Sequence, residues 1–158
     1  MANERRTAGR SQSLREFAHA VLKLEHLALV LPRSDVRTLE AAADLEAADP
    51  PPNGVGWIEA ERGRFPVYCF SPELEPLARP PAGRRICVVL DAGGEIFGFL
   101  ASEVVLLEKS EQPVHTVPRA MAAPGSPVLG VTVYADAVAC VSSARAILSH
   151  ARLSLEAA

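Results

Sequence analysis

The sequence predicts an all-β chain, and three observations carry that reading. Short apolar runs recur along it, centred on Val21, Leu29, Val36, Ile58, Val67, Val88, Phe97, Val105, Val131 and Val138. This is about ten strands at the spacing of an all-β domain. Short polar or glycine-bearing breaks join them in pairs: Glu25-His26, Glu61-Arg62-Gly63-Arg64, Asp91-Ala92-Gly93-Gly94 and Ala135-Asp136. Such breaks between apolar runs are hairpin signals. The third observation is the run Phe65 to Phe70. Taken at period two, it puts Phe65, Val67 and Cys69 on one face and Pro66, Tyr68 and Phe70 on the other. Neither face is polar enough to meet water, so this strand is expected between two packed layers.

Taken in order, residues 1–16 carry arginines and small polar residues without periodicity, and a flexible N-terminal tail is expected. Ala18 to Leu24 and Leu27 to Pro32 form the first hairpin. His19 and His26 fall on different segments of it with no third ligand nearby, which predicts surface or strand-end histidines. The stretch Ser34 to Asp49 is ambiguous. Ser34 or Asp35 would cap a helix, and Ala41 to Ala48 is alanine-rich; a strand at Val36 to Leu39, with a loop or helical turn after it, is the expectation adopted. Pro50-Pro51-Pro52-Asn53-Gly54 stops any helix.

In the central hairpin Gly63 is the residue expected to take positive φ, and Pro66, which cannot donate to a ladder, is expected at an edge or bulge. Ser71 to Arg85 is a proline-containing connector, and Arg84-Arg85 at its end read as strand-end charges. Ile86 to Leu90 and Glu95 to Leu100 pair across the Gly93-Gly94 turn. Val104 to Leu107 is a strand, followed by a polar, proline-containing excursion from Glu108 to Ala123. Val128 to Tyr134 and Ala137 to Val141 are the last two strands. Ser142 or Ser143 would cap a helix through His150 that docks Ala146, Ile147 and Ala151, leaving 151–158 as a C-terminal tail.

Composition narrows the function classes. The 158 residues suit one domain, or two small subdomains sharing a core, and 49% are apolar. Sixteen basic and 19 acidic residues give a formal charge of −3, with no general pull toward nucleic acid or anionic lipid. No apolar run approaches the ~20 residues that span a bilayer. The polar, basic start shows no secretory h-region, so a soluble cytoplasmic protein is expected. Cys69, Cys87 and Cys140 each sit inside an apolar run, which predicts buried reduced thiols. Gly93, Gly94 and Gly98 do not make a dinucleotide motif, Gly125-Ser126-Pro127 is not a nucleophile elbow, and no metal-ligand spacing recurs. No enzyme, cofactor or metal is expected. A small hydrolase or ligand-binding barrel using His115 or Cys87 is the enzyme alternative, and an RNA-binding barrel the binding one; the acidic balance disfavours the second.

Five weak motifs, in order, resemble the CheW-like domains of bacterial chemotaxis coupling proteins. Val55-Gly56 with Ile58, then Arg62-Gly63, then Pro66-Val67 resembles G-x-x-x-x-R-G...P-V-x-D-L. Ile86 to Leu90, Gly93-Gly94, Ile96 to Phe99 and Ser102 to Val105 resemble I-V-V-V...G...V-G-I-x-V-D-x-V. Val128 to Val133, Asp136 to Val141 and Ile147-Leu148 resemble the family's ending. Coverage runs from about His19 to His150, and a CheW-like domain over 17–150 is the expected organisation. Three departures stand out: Cys69 and Ser102 replace the family's aspartates, and the Arg-Gly pair is shifted one position toward Pro66, which implies a changed turn. They are more like the divergent CheW-like proteins of type IV pilus and twitching systems.

The resemblance implies two five-stranded SH3-like barrels sharing a middle core, with a short C-terminal helix. It implies a non-enzymatic adaptor joining methyl-accepting chemoreceptors to a CheA-type histidine kinase. One barrel would dock the kinase's regulatory domain and the groove between barrels would take the receptor tip. Val36, Leu39, Arg62 and Phe65 match or adjoin the family's interaction elements and are the expected protein-binding residues. Arg62 is foremost, because a charged turn residue has no packing reason to be there.

Overall fold

A computed structural model describes residues 17–61, 63–108, 115–116 and 126–156. The chain opens with a hairpin of β1 (Phe17–Leu24) and β2 (Leu27–Pro32), turned at Glu25 with φ 54°. Next come β3 (Val36–Ala41), β4 (Gly56–Ala60), β5 (Gly63–Tyr68), β6 (Ile86–Ala92) and β7 (Glu95–Ala101), which form a five-stranded sheet ordered β3-β6-β7-β5-β4. The chain then returns through β8 (Glu103–Glu108), the two-residue β9 (His115–Thr116), β10 (Gly130–Tyr134) and β11 (Ala137–Val141). With the first hairpin these build a second sheet ordered β8-β1-β2-β11-β10-β9, five longer strands with β9 as a short addition at one edge. The helix α1 (Ala144–Glu156) closes the fold. The strand pattern predicts the all-β class, and two five-stranded units with one terminal helix are the architecture the resemblance implies.

Three apolar cores explain why so many strands read as continuous hydrophobic runs. Alternate residues of β1 and β2, among them Leu22, Leu24, Leu29 and Leu31, face Val88, Leu90, Phe97 and Phe99 of β6 and β7 in a middle core that both sheets share. The helix adds Ala144, Ile147, Leu148 and Ala151 to it. The intervening residues face away from that core. Val21, Ala28 and Val30 meet Ala139 in the six-stranded unit, while Val67, Cys69, Cys87, Val89 and Leu100 pack together in the five-stranded one. β5 and the residues after it divide as expected: Phe65, Val67 and Cys69 enter the second core, Tyr68 and Phe70 the middle one. Burying both faces of a strand removes the polar alternation that a half-exposed sheet would show.

The turns follow the sequence closely. Gly63 has φ 118°, and Gly93 and Gly94 have φ 68° and 101°. Ala60 pairs with Gly63 at the end of the central hairpin.

The stretch after Ser34 keeps to the expectation adopted for it, a strand followed by a helical turn, whereas Pro66, Arg84 and the end of the helix need correction. The alanine-rich stretch is not helical beyond a 3-10 turn at Ala42–Asp44. Its backbone is claimed by long-range bonds: Ala42 N–H donates to Arg85 C=O, and Glu46 and Trp57 exchange bonds at 2.8 and 2.9 Å. Those ladder bonds outweigh alanine's propensity. Asp35 does cap a helix, but a distant one, since its carboxylate accepts from the Ala144 N–H at the start of α1, where Ser143 Oγ accepts from Ala146 N–H. Pro66 lies on an inner strand, opposite Trp57, one residue before the parallel ladder to β7 begins at Val67, so that ladder asks no bond of its nitrogen. Arg84 is no strand-end surface charge: it is buried, whereas Arg85 is exposed. The helix runs past His150 to Glu156, because Ala151 still packs in the middle core. Ala144 and Leu148 dock there with Ile147, while Ala146 is half-buried.

Candidate docking site

The two edge strands of the five-stranded sheet, β3 and β4, both line one groove of about 820 Å³. Register fixes which side chains face it. Thr38 lies opposite Val89 and Glu40 opposite Cys87, on the face that holds this sheet's own core. Phe65, Val89 and Ile96 form an apolar floor, and Arg37, Glu59, Glu61 and Arg64 stand around it. β3 pairs only with β6 among the described residues. The outer edge of β4 is covered at Trp57 by its bridge to Glu46.

Both described arginines at the rim are engaged. Arg37 pairs with Asp91 at 3.1 Å, and the Arg64 guanidinium lies 4.2 Å from the centre of the Trp57 ring, a cation–π distance. Trp57 is itself held by its Nε1–H, which donates to the Asp49 carbonyl at 2.7 Å. These contacts leave Glu40, Glu59 and Glu61 without an ion-pair partner among the described residues.

The residues singled out from sequence fall into different environments. Phe65 is 7% exposed and belongs to the groove floor. Val36 is also 7% exposed, but it packs in the middle core and can shape an interface only through the strand that carries it. Leu39 is 52% exposed and lies opposite Val88, on the other face of β3 from Thr38 and Glu40. Arg62 lies outside the described residues; its neighbours Glu61 and Gly63 line the groove. Thr38, Glu40, Val89 and Ile96 were not anticipated. Alternation along an edge strand carries their signal, but only once β3 is known to be an edge.

Two of the three departures from the family pattern lie near the junction of the two units, Ser102 between them and Cys69 in the core beside it. Ser102, between β7 of one sheet and β8 of the other, donates its N–H and its hydroxyl to the Lys23 carbonyl, both at 2.9 Å. Cys69 is buried beside Arg84, with its Sγ 3.3 Å from Nη1. Burial pushes its thiol up to about 11, although the Arg84 guanidinium works in the opposite direction. Burial pushes Cys87 further, to about 12, and raises Cys140, which is half-buried. Buried protonated thiols of this kind behave as small hydrophobes. His115 lies in β9, and its side chain is outside the described residues. No three His, Cys, Asp or Glu side chains converge among the described residues, and no described helix is long and apolar enough to cross a membrane.

No protein-family model and no curated protein matches the sequence. A solved structure does: the scaffolding protein TtCheW from Thermoanaerobacter tengcongensis superposes with a TM-score of 0.62 over 82% of this chain and 90% of that one. The chain has a CheW-like fold. Identity over the match is 15%, so the likeness is one of architecture. The CheW-like fold accounts for the pairing of two barrels through one middle core.

Proposed function

We propose that this chain is a non-enzymatic adaptor that couples methyl-accepting chemoreceptors to a CheA-type histidine kinase. The observation that carries the reading is the two-barrel architecture with its shared core, which spans most of the chain and is common to a protein described as a scaffold. An adaptor of this kind works by presenting two surfaces in a fixed relation. The five-stranded barrel would offer its groove to the kinase's regulatory domain, with Phe65 at the floor and Arg62 on the adjoining turn. The receptor tip would lie between the barrels, and Leu39 is the exposed apolar side chain on that face of β3. Val36 supports the same strand from the core.

The hydrolase alternative loses ground at Cys87, a fully buried thiol with its pKa pushed up to about 12, since the reactive form of cysteine is the thiolate. Whether the output is swimming or twitching is decided by the motility lost on deletion, and the departures at Cys69 and Ser102 favour twitching. The coupling role is tested by calorimetric titration with the kinase regulatory domain and a receptor cytoplasmic fragment from the same organism. Saturable binding to both supports it. Binding to neither removes it.

A further inference from the structure

The free edge of β3 and the groove beside it fit a kind of occupant that the CheW-like fold does not specify. Among the described residues β3 ladders only with β6, and Val36 is bonded back to Arg33 through its N–H and its carbonyl, so the row of N–H and C=O groups left without a ladder runs along residues 37–41. Such a row is a template for another strand. The groove lies on this open side, since residues of β3 and of the opposite edge strand β4 line it together. A strand laid along β3 would continue the sheet, and strand side chains alternate between faces. One set would fall onto Phe65, Val89 and Ile96; the other would point outward.

Charge selects the rest. On the wall across from β3 stand Glu59 and Glu61, and Glu59, opposite Arg64 rather than Phe65, lies off the core face, where the outward set of an added strand would pass. Arg37 is taken up by Asp91 and Arg64 by the face of Trp57, so the unpartnered groups described here are carboxylates. Backbone pairing along a sheet edge supplies affinity in this binding mode, while pockets for alternate side chains supply specificity.

We propose that β3 accepts a strand from a partner protein, an extended segment with an apolar residue at every second position and Lys or Arg between them. This does not depend on the coupling role, because any partner carrying such a segment would satisfy it. The test uses the full chain and three end-blocked decapeptides: one alternating Val and Lys, one alternating Val and Glu, and one of Leu and Lys spaced as an amphipathic helix. Amide NMR should show the Val/Lys peptide shifting resonances of β3, Phe65, Val89 and Ile96, and slowing hydrogen exchange on β3. The Val/Glu peptide should bind at least about tenfold more weakly. The double variant Glu59→Lys, Glu61→Lys, confirmed as folded by its thermal melt, should lose about threefold or more in affinity for the Val/Lys peptide. Absence of Val/Lys binding, equal binding of the acidic peptide, unchanged affinity in the double variant, or preference for the helical peptide would each overturn the proposal. So would shifts centred on the exposed Val133 and Val138 of the other sheet. Kinase or receptor binding that persists after any of these results would leave the coupling role standing without this groove.

Discussion

Arg84 holds Glu25 with a two-point bond, Nε 2.6 Å from one carboxylate oxygen and Nη2 3.1 Å from the other, across 59 positions of sequence. The arginine side chain is 0% exposed and the glutamate's is 41% exposed. The same guanidinium donates to the Leu100 carbonyl at 3.2 Å and touches Cys69 Sγ. Glu25 belongs to the β1–β2 turn of the six-stranded unit, whereas Cys69 and Leu100 belong to the core of the five-stranded one. The pair therefore ties one barrel to the other. It places a carboxylate beside Arg84 at the point where the family pattern would put an aspartate in place of Cys69.

Glu25→Ala should destabilise the fold by about 1–3 kcal/mol, because it leaves a buried cation without its counter-charge. Arg84→Met should cost less, since it fills similar space with apolar atoms and leaves behind a carboxylate that water can reach. Urea denaturation of the two variants checks the order. A larger loss for Arg84→Met would show that packing and the Leu100 bond outweigh the charge pair.

Leu39→Ala and Phe65→Ala should separate binding from folding. Leu39 is half-exposed on an edge strand, so its truncation should move stability within about 0.5 kcal/mol. Phe65 is both groove floor and core, and its truncation should cost about 3–5 kcal/mol. Thermal melts read this directly. Only Leu39→Ala is then suited to partner titrations, where loss of affinity with an unchanged melt would assign it to an interface.

Much of this fold is legible in the sequence because hairpins announce themselves locally. The Gly93-Gly94 turn adopts the positive φ that glycine favours, the Ala135-Asp136 turn holds positive φ at both residues although only the aspartate tolerates it readily, and the strands flanking both are largely apolar runs. The double-sided burial of Phe65 to Phe70 is legible for the same reason. What escapes local reading depends on distant partners. Arg84 looks like a strand-end charge until Glu25 is brought to it, and Asp35 looks like the cap of a local helix until α1 arrives. The alanines after β3 have helical propensity, but Arg85 and Trp57 supply the competing bonds. The groove is less legible still, because nothing in Thr38 or Glu40 marks β3 as an edge.

Gly98→Ala should destabilise the five-stranded barrel by about 1–3 kcal/mol through overpacking. A Cβ there would stand 2.5 Å from Cys87 Sγ and 3.0 Å from Val67 Cγ2. Gly98→Ala combined with Cys87→Ala should recover part of the loss, since it removes the sulfur that clashes. Denaturant midpoints of the single and double variants check the coupling; strict additivity would mean that the clash is relieved elsewhere.

Stability should fall on the alkaline side. Folding raises the Cys69 thiol from an ordinary 9.0 to about 11 and Cys87 to about 12, mainly by burial. Below pH ~9 both states keep these protons and nothing changes; above it the unfolded chain ionises first, so stability declines as pH rises toward the folded values. The double variant Cys69→Ala, Cys87→Ala should show a shallower decline between pH 8.5 and 10.5, read from urea melts at each pH, these two values being roughly the limits set by the thiol range. In the native protein near neutral pH a thiol reagent should label half-exposed Cys140 well before the other two.

The most direct test of the adaptor reading is assembly of both partners on one copy of the chain. Sedimentation velocity should be run on the protein with a CheA-type kinase regulatory domain, with a receptor cytoplasmic fragment, and with both together, all from the same organism. The account predicts a complex with each and a larger ternary species when all are mixed, with Arg62→Ala weakening at least one arm while its thermal melt stays unchanged. Three independent species under conditions where kinase and receptor fragments are themselves folded would contradict it.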